Sequence, residues 1–514
     1  MGSPAVHTGP PSVRLRNAFA RPYDAALAAA RTCYAPRVVE PDEVSEAQRA
    51  SIGPLTFEAG HHTVFQHAHF EFGLENVSRQ FVWAFLHAHP FYNSEQSSQR
   101  FVRLDEARAH VPEGLDARAR AVYDQALLDA WAAYRRLAAL LRVDTEAILS
   151  RLRHLTPNAS DKRRKKVARE AEKKAIETAR YVIPVAAFTS MVHTLSGIVL
   201  HRLWRMARTG DAPAESARVV LAMVDAVRAL DRDFFERVGH GPLDDAQVVE
   251  RSFPRAAGGS DALHAALDAR LGTRTSLLVD WSARAEQTTA DAVRAVTGAS
   301  SLSDDEALER LLNPGLNRYR LETLQLGLHS PLTRAAFHPS YTFLKRLSHT
   351  ADSQDQRHRM VPASRPLMTF TDTEGPDYVT PPLIARNAEA LDVYTAAMER
   401  AWSAKNRLLD LGVPLEAALY VLPNAKALRF HESGQLLYLA HKWVMRTCFN
   451  AQEEIWRASM DELEQVRALH PRLARHMGPP CVLRAGRITP TCTEGEHFCG
   501  VPVWRGFPDV EREL

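Results

Sequence analysis

The sequence predicts an α+β protein of two related halves, each with helices packed on a small sheet, the two together forming a pseudo-dimer. Helical periodicity dominates, as in AVYDQALLDAWAAYRRLAALL from residue 121 and ALDVYTAAMERAWSAKNRLLDL from residue 390. Strand patterns are short, and the two clearest are HAHFEFGL at 67–74 and PSYTFL at 339–344. The third observation, an internal repeat, predicts the division into halves.

The repeat consists of four motifs that occur in the same order in both halves. ETARYVIP at 177–184 returns as EAALYVLP at 416–423, and each copy is followed by a histidine and Ser-Gly. MART at 206–209 matches MRT at 445–447, and HAHFEF at 67–72 matches HPSYTF at 338–343. Four matches in one order indicate tandem duplication of a unit of about 240–270 residues. We therefore expect a first repeat at 1–255, a second at 256–475 and a cysteine-containing tail at 476–514.

Composition excludes several classes of protein. The net charge is only +3 over 514 residues, which gives no general argument for nucleic acid as a partner. The basic run at 161–174 lacks interleaved aromatic residues and is more typical of a solvated helix start. No apolar run approaches the roughly 20 residues of a membrane span, and five cysteines do not make a disulfide scaffold. We expect a cytoplasmic protein that binds neither membrane nor nucleic acid.

Two polar clusters are candidates for binding an anion. Arg357, His358 and Arg359 are adjacent, and three such side chains need a compensating anion such as a phosphate. In the first half, Ser98 and Arg100 would face the same way on an extended segment, a pair that suits a phosphate or a ribose. Either cluster alone is also compatible with an ordinary polar surface, and Ser97 is an alternative to Ser98.

Together the motifs resemble those of the flavin-dependent thymidylate synthases. That family has Gly-His-x-Ser-x-x-Glu-His-x-x-Phe-x-Phe, Ser-x-Arg-Tyr-Val and Gln-x-x-Arg-His-Arg segments. Most of both halves is covered, least well between about 230 and 320. The matching segments are GHHTVFQHAHFEF at 60–72, SQRFV at 98–102, RTCY at 31–34, ETARYVIP at 177–184, QDQRHR at 354–359 and RTCFNAQEEI at 446–455.

The resemblance implies a function and its ligands. The family catalyses reductive methylation of dUMP to dTMP, with methylenetetrahydrofolate as carbon donor and NADPH reducing a bound FAD, in tetramers whose sites lie between subunits. The corresponding FAD-binding residues here would be His67, Arg357, His358, Arg359, His441 and Asn450. The dUMP-binding residues would be Gln354, Ser98, Arg100, Arg180 and Arg446, with Arg446 and Ser98 also acting in catalysis. A homodimer of this chain would stand in for the tetramer.

Neither half carries the full set of motifs. The first half keeps Ser98, Arg100 and Arg180 but has Ala84, His87 and His89 where the glutamine and the two arginines are expected. The second half keeps the glutamine and the arginine cluster but has Leu419 in place of Arg180. The losses are complementary, so we expect one composite site between the repeats. The alternative is a catalytically degenerate paralogue that binds flavin or nucleotide as a sensor or scaffold.

The tail suggests a structural metal site. Three of the five cysteines lie in the last 34 residues, and with a histidine they would supply four soft ligands for zinc. The candidate ligands are Cys481, Cys492, Cys499 and His497. The spacing is not that of a standard zinc finger, and reduced thiols in a packed tail are the alternative.

Overall fold

The computed structural model describes residues 5–254 and 260–514, so the expected repeat boundary at 255/256 lies outside the described residues. The described part of the first half contains four strands and eight α-helices. In chain order these are β1 Ser12–Ala18, α1 Pro22–Thr32, α2 Glu46–Glu58, β2 His69–Ser78, α3 Arg79–His87, β3 Tyr92–Gln96, α4 Ala117–Leu152, α5 Asp161–Ala179, β4 Phe188–Ser196, α6 Gly197–Arg205, α7 Pro213–Leu230 and α8 Asp233–Glu236.

The described second half has four strands and eleven α-helices. They are α9 Asp261–Leu271, β5 Ser276–Trp281, α10 Ala285–Thr297, α11 Asp304–Leu312, β6 Ser340–Ser348, α12 His349–Asp355, β7 Ala363–Ser364, α13 Pro382–Ala385, α14 Ala388–Asp410, α15 Leu415–Ala418, β8 Ala427–Gln435, α16 Leu436–Arg446, α17 Glu453–Leu469, α18 Pro471–Ala474 and α19 Pro480–Arg484. The two helices and two strands named from the sequence are confirmed, with shifted ends.

Each half forms a four-stranded antiparallel sheet of the same order. The strands run β1-β2-β4-β3 in one sheet and β5-β6-β8-β7 in the other. Strand β4 alternates buried and half-buried positions, so one face packs on helices and the other is partly solvated. The two equivalent sheets agree with the internal repeat of the sequence, and the chain is an α+β protein in two similar parts.

The halves share a helical core. Helix α4 packs against α14, and the buried Trp131 and Trp402 belong to one apolar cluster drawn from both halves. In both helices, apolar residues at three- and four-residue spacing make the stripe that faces this core. A membrane-spanning stretch of sufficient length and hydropathy is absent from the described helices.

The two copies of the repeated motif at 177–184 and 416–423 contact each other reciprocally. The Val185 amide donates to the Leu422 carbonyl, and the Asn424 amide donates to the Ile183 carbonyl, both at 2.8 Å. The side chains reciprocate as well. The Tyr420 hydroxyl donates to Glu215 of the first half at 2.5 Å, and the Tyr181 hydroxyl donates to Glu454 of the second at 2.6 Å. Because the two motif copies contact each other, the polar segment that follows β3 in the first half lies opposite α12 and α16 of the second half.

Candidate active site

A cavity of about 720 Å³ lies between the halves and brings the two predicted clusters together. Its first-half wall is the segment after β3 together with Arg180, and its second-half wall is the end of α12, the turn after it and one face of α16. The lining residues are Arg79, Arg180, Thr350, Ser353, Gln354, Tyr438, His441, Met445, Arg446 and the stretches 95–101 and 357–361. A cavity of this size suits a cofactor or a nucleotide.

The lining is strongly cationic. Six arginines contribute to it, against one acidic residue, the exposed Glu95. Burial, together with neighbouring arginines, lowers the pKa of Arg79 to about 9. Burial and nearby arginines also lower the pKa of Arg180 and of Arg446 to about 10, although Glu177 and Asp355 partly offset this. Placing like charges together away from water is unfavourable, and a bound anion would relieve that cost.

The first-half wall is a turn rather than the expected extended segment. The Phe101 amide donates to the Ser98 carbonyl at 3.1 Å, and the Ser98 hydroxyl accepts from the Arg100 amide at 3.3 Å. The turn also separates the two candidate serines, because the Ser97 hydroxyl pairs with Ser190 at 2.8 Å. Both serines line the cavity, but Ser98 is the one bonded to the backbone of Arg100.

Two arginines of the first-half wall are held in place by hydrogen bonds to residues outside the cavity. Arg100 donates from Nε to Glu177 at 2.7 Å and from Nη2 to the Asn450 carbonyl at 2.8 Å. Arg180 donates to the Gln452 side chain at 3.0 Å and to the Glu177 carbonyl at 3.1 Å. Bonds from both halves thus fix these guanidinium groups, and little side-chain entropy remains to be lost when they bind an anion.

The second-half wall holds a bonded trio. Arg446 donates from Nε to His358 Nε2 at 2.8 Å and from Nη2 to the Gln354 carbonyl at 3.1 Å. Burial, followed by the charge of Arg446, keeps the pKa of His358 well below its ordinary value, so the ring is neutral and accepts at Nε2. The side-chain amide of Gln354 lines the cavity with no hydrogen-bond partner among the described residues, although its polar atoms are buried. That amide is free to pair with a ligand.

Arg357 and Arg359 form the rim of the cavity. Arg357 is half-exposed, and its nearest carboxylate is Glu95 at 3.7 Å. Arg359 donates to the Asn93 side chain at 3.3 Å and lies over the Tyr92 ring, with 5.0 Å from its guanidinium carbon to the ring centroid. These contacts are weak because they are solvated, so both guanidinium forks remain available to a phosphate.

Most of the predicted ligand-binding residues line this cavity, but two do not. His67 is exposed, two residues before β2, and is not among the lining residues. Asn450 lies behind Arg100, and its side-chain amide donates to Glu494 and to the His497 carbonyl at 3.0 and 2.8 Å. Its backbone, not its side chain, therefore supports the cavity.

Arg79 lines the cavity and was not predicted from the sequence. It is buried, and it donates to the Gln96 side chain at 2.7 Å. The available signal was its place directly after Ser78, one of the repeated positions that end the strand before a short helix. The second copy has His349 there, so the comparison of the two halves concealed the residue.

The second-half segment that corresponds to Ser98 and Arg100 is closed by an ion pair within the chain. Arg365, which follows Ser364 in the second half, pairs with the buried carboxylate of Asp352 at 2.8 Å. The same carboxylate accepts from the Trp83 indole at 2.8 Å and lies 3.5 Å from His87. An arginine neutralised by its own chain has no need of an anionic ligand.

The predicted zinc site does not form. Among residues 5–254 and 260–514, no three His, Cys, Asp or Glu side chains are placed so that they could hold a metal ion. Cys481, Cys492 and Cys499 instead line a cavity of about 20 Å³ together with Cys448, which the sequence analysis did not include. Burial raises the pKa of the Cys448 thiol to about 11 and that of Cys481 to about 12, so both remain protonated at neutral pH. His497 is not among the residues that line this cavity.

Glu177 should make stability depend on pH in acid. Burial raises its pKa, but Arg100, Lys174 and Arg180 outweigh this and lower it from 4.5 to about 2. Below pH 4.5 the unfolded chain takes up a proton that the folded chain does not, so the free energy of unfolding falls as pH decreases towards 2. The whole effect is about 3 kcal/mol. Urea unfolding at pH 7 and pH 3.5 should show the stability gap between wild type and Glu177→Gln narrowing in acid; a constant gap would contradict the assignment.

Fold and cavity together define a two-part α+β protein with an arginine-lined cleft, suited to anionic ligands, between its halves. The sequence profile of the family described as thymidylate synthase complementing protein, Thy1, matches residues 14–231 and 277–472, one region in each half. The chain belongs to that family. The two matched regions also agree with the internal repeat.

Several bacterial relatives share the name flavin-dependent thymidylate synthase. The protein from Geobacter sulfurreducens is 30% identical over 204 residues, which are 39% of this chain and 84% of the relative. The protein from Clostridium tetani is 27% identical over 231 residues, 44% of this chain and 86% of the relative. The protein from Nitratidesulfovibrio vulgaris is 33% identical over 196 residues, 36% of this chain and 76% of the relative. Each relative thus matches less than half of this chain.

Proposed function

We propose that this chain is an FAD-dependent thymidylate synthase that methylates dUMP reductively to dTMP, using methylenetetrahydrofolate and NADPH, at one composite site between its two repeats. The observation that carries the proposal is the single cavity lined by Ser98, Arg100 and Arg180 of the first half and by Gln354 and Arg446 of the second. The names of the relatives support flavin-dependent thymidylate synthesis in general, and the arginine-rich lining is compatible with the anionic ligands of the proposed reaction.

The residues fit a flavin dinucleotide. The forks of Arg357 and Arg359 at the rim are free to pair with a pyrophosphate, and His358 and His441 lie beside them with ring centroids 5.7 Å apart. Burial lowers the pKa of both histidines, so neutral imidazoles face the cofactor. FAD bound here and reduced by NADPH would supply the reducing equivalents, while the folate supplies the one-carbon unit.

The first-half wall is assigned to the nucleotide. Arg100 and Arg180 are held by Glu177 and by groups of the other half, and both line the cavity together with Ser98. Fixed guanidinium groups suit a phosphate dianion. Arg79, buried beside them, adds a third cation to the same wall.

The second-half wall is assigned to the base. A pyrimidine that carries a carbonyl and an N–H on one edge matches the unpartnered amide of Gln354, which both donates and accepts. Arg446 is oriented by its bonds to His358 and to the Gln354 carbonyl, so its charge can oppose negative charge that develops on a ring oxygen. Ser98 holds the Arg100 turn in place at the opposite side.

The assembly is proposed to be a homodimer of pseudo-dimers. The reciprocal contacts between the repeated motifs support the pairing of the halves within one chain. His67 is exposed and lies outside the chain's own cavity, so it can serve as a cofactor ligand only towards a second copy. Light scattering should give a mass near twice the 57.4 kDa of one chain.

The test of the function begins with the purified protein. We expect flavin absorbance on purification, bleaching of that absorbance when NADPH is added, and dTMP formation only when dUMP and methylenetetrahydrofolate are both present. Growth of a thymidine auxotroph carrying the gene would show the same activity in a cell. Flavin retained without bleaching or dTMP would instead support the degenerate binding paralogue, and a colourless protein that binds no added FAD would exclude both.

A further inference from the structure

A second cavity of about 520 Å³ adjoins the candidate active site, and we refer to it as the apolar annex. The two cavities share four lining residues, so a ligand held in one can extend into the other. The shared residues are Met360, Tyr438, His441 and Met445. The other annex walls come from the end of α11, the segment 319–328, the outer face of α16 and the chain near α19.

Most annex walls are aliphatic or aromatic. Leu311, Leu328, Leu437 and Val444 are among the lining side chains, and the single acidic lining residue, Glu322, is exposed. Apolar surroundings of this kind favour the burial of a flat aromatic ring and disfavour a multiply charged phosphate group. The annex therefore differs in chemistry from the arginine-lined cavity beside it.

The cation Arg320 lies in this apolar environment without a carboxylate partner among the described residues. Arg320 lines the annex, and its Nη2 donates to the His476 carbonyl at 2.9 Å. Its Nε is buried and has no hydrogen-bond partner among the described residues. Burial alone lowers its pKa, to about 10, and no acidic group contributes to that shift. A buried guanidinium without a paired anion lowers the stability of the fold, and a bound anionic ligand would remove that penalty.

These observations together describe a ligand with an aromatic body that ends in a carboxylate. We propose that the annex binds the p-aminobenzoylglutamate tail of the folate co-substrate, with the aromatic ring against α16 and a glutamate carboxylate on Arg320. The inference rests on the proposed function, and of its four ligands the folate alone carries carboxylates, on a glutamate joined to an aromatic ring through an amide. The flavin, the nicotinamide cofactor and dUMP carry phosphates, for which the adjoining cavity already has six arginines.

The test compares two probes on the dUMP-loaded flavoprotein: tetrahydrofolate, and 6-methyltetrahydropterin, which has the ring system without the tail. Binding is followed through the flavin absorbance. Wild type should prefer tetrahydrofolate by about tenfold or more, as expected for a charge-assisted hydrogen bond. Arg320→Met should lose this preference while its affinity for 6-methyltetrahydropterin, its flavin content and its dUMP affinity stay unchanged.

Arg318→Met is the matched control, because Arg318 is exposed two positions away and does not line the annex. It should behave as wild type. If Arg320→Met fails to fold, Leu328→Glu provides the second variant: Leu328 is 51% exposed, and a carboxylate there should repel the tail and weaken tetrahydrofolate alone.

An unchanged preference in Arg320→Met, or wild type binding the two probes equally, would overturn the annex assignment while leaving the synthase proposal intact. Absence of flavin binding or of any response to dUMP would instead count against the synthase proposal itself.

Discussion

Replacing Arg446 with lysine is expected to lower the turnover number about 100- to 1,000-fold, the usual cost of losing one preorganised donor at a developing oxyanion. The guanidinium bonds simultaneously to His358 and to the Gln354 carbonyl, and this bonding fixes its plane. An ammonium keeps the charge but cannot make both bonds and still face a ligand. Flavin content should remain near wild type, and the loss should appear in the single-turnover rate of dTMP formation.

Arg208→Lys is the matched control for this prediction. Arg208 follows α6 as Arg446 ends α16, and it is exposed, with its carbonyl accepting from Arg251. Since Arg208 is not among the residues that line the candidate active site, its substitution should leave turnover unchanged. Equal losses in the two variants would show that the two halves are both catalytic, contrary to the single composite site.

Arg100→Met and Arg357→Met should separate the two ligands. Arg100→Met removes a fixed guanidinium from the first-half wall and is expected to weaken dUMP binding about 100-fold, as for a lost charge-assisted contact to a phosphate. Arg357→Met should reduce FAD affinity about tenfold, a smaller effect because Arg357 is half-exposed at the rim. Flavin fluorescence measures the second quantity, and calorimetry with dUMP on the flavin-loaded protein measures the first.

Arg103→Met is the control for Arg100. Arg103 is exposed three positions further on, pairs with Asp105 and Glu172, and does not line the cavity. It should change neither affinity. Arg100→Met also leaves Glu177 with Lys174 and Arg180 as its remaining cations, so flavin content serves as the check on folding. Loss of both ligands to the same extent in both variants would contradict the division between the halves.

Much of the fold was predictable because it depends on local pattern. The three- and four-residue spacing of apolar side chains predicted α4 and α14, and the aromatic-rich segments predicted β2 and β6. The conformation of residues 98–102 was predicted wrongly: the expected extended segment is a turn closed by the Ser98 carbonyl. Two backbone hydrogen bonds, from the Phe101 and Val102 amides to the Ser98 carbonyl, close this turn, and the periodicity of the sequence does not predict them.

The sequence predicted the kind of site, an arginine-rich site for anionic ligands, but not all of the residues that line it. Motif residues such as Arg100 and Arg446 carry a recognisable spacing, whereas Arg79 and Cys448 enter their cavities only through neighbours distant in the chain. The zinc prediction failed for the same reason. Spacing along the tail gave no information on whether the sulfur atoms converge, and in the described structure they do not form a metal-binding group.

The sequence by itself determined the duplication, the α+β class and the kind of chemistry, because repeated motifs and side-chain charge are written in the order of residues. Only the tertiary structure decided that the motif residues retained in the first repeat and those retained in the second line the same cavity. It also decided that Asp352 neutralises Arg365, so that this arginine is not available to a ligand. The physical reason is that burial and Coulomb pairing depend on distance in space: an arginine is free for a ligand or already paired according to which carboxylate the fold places beside it.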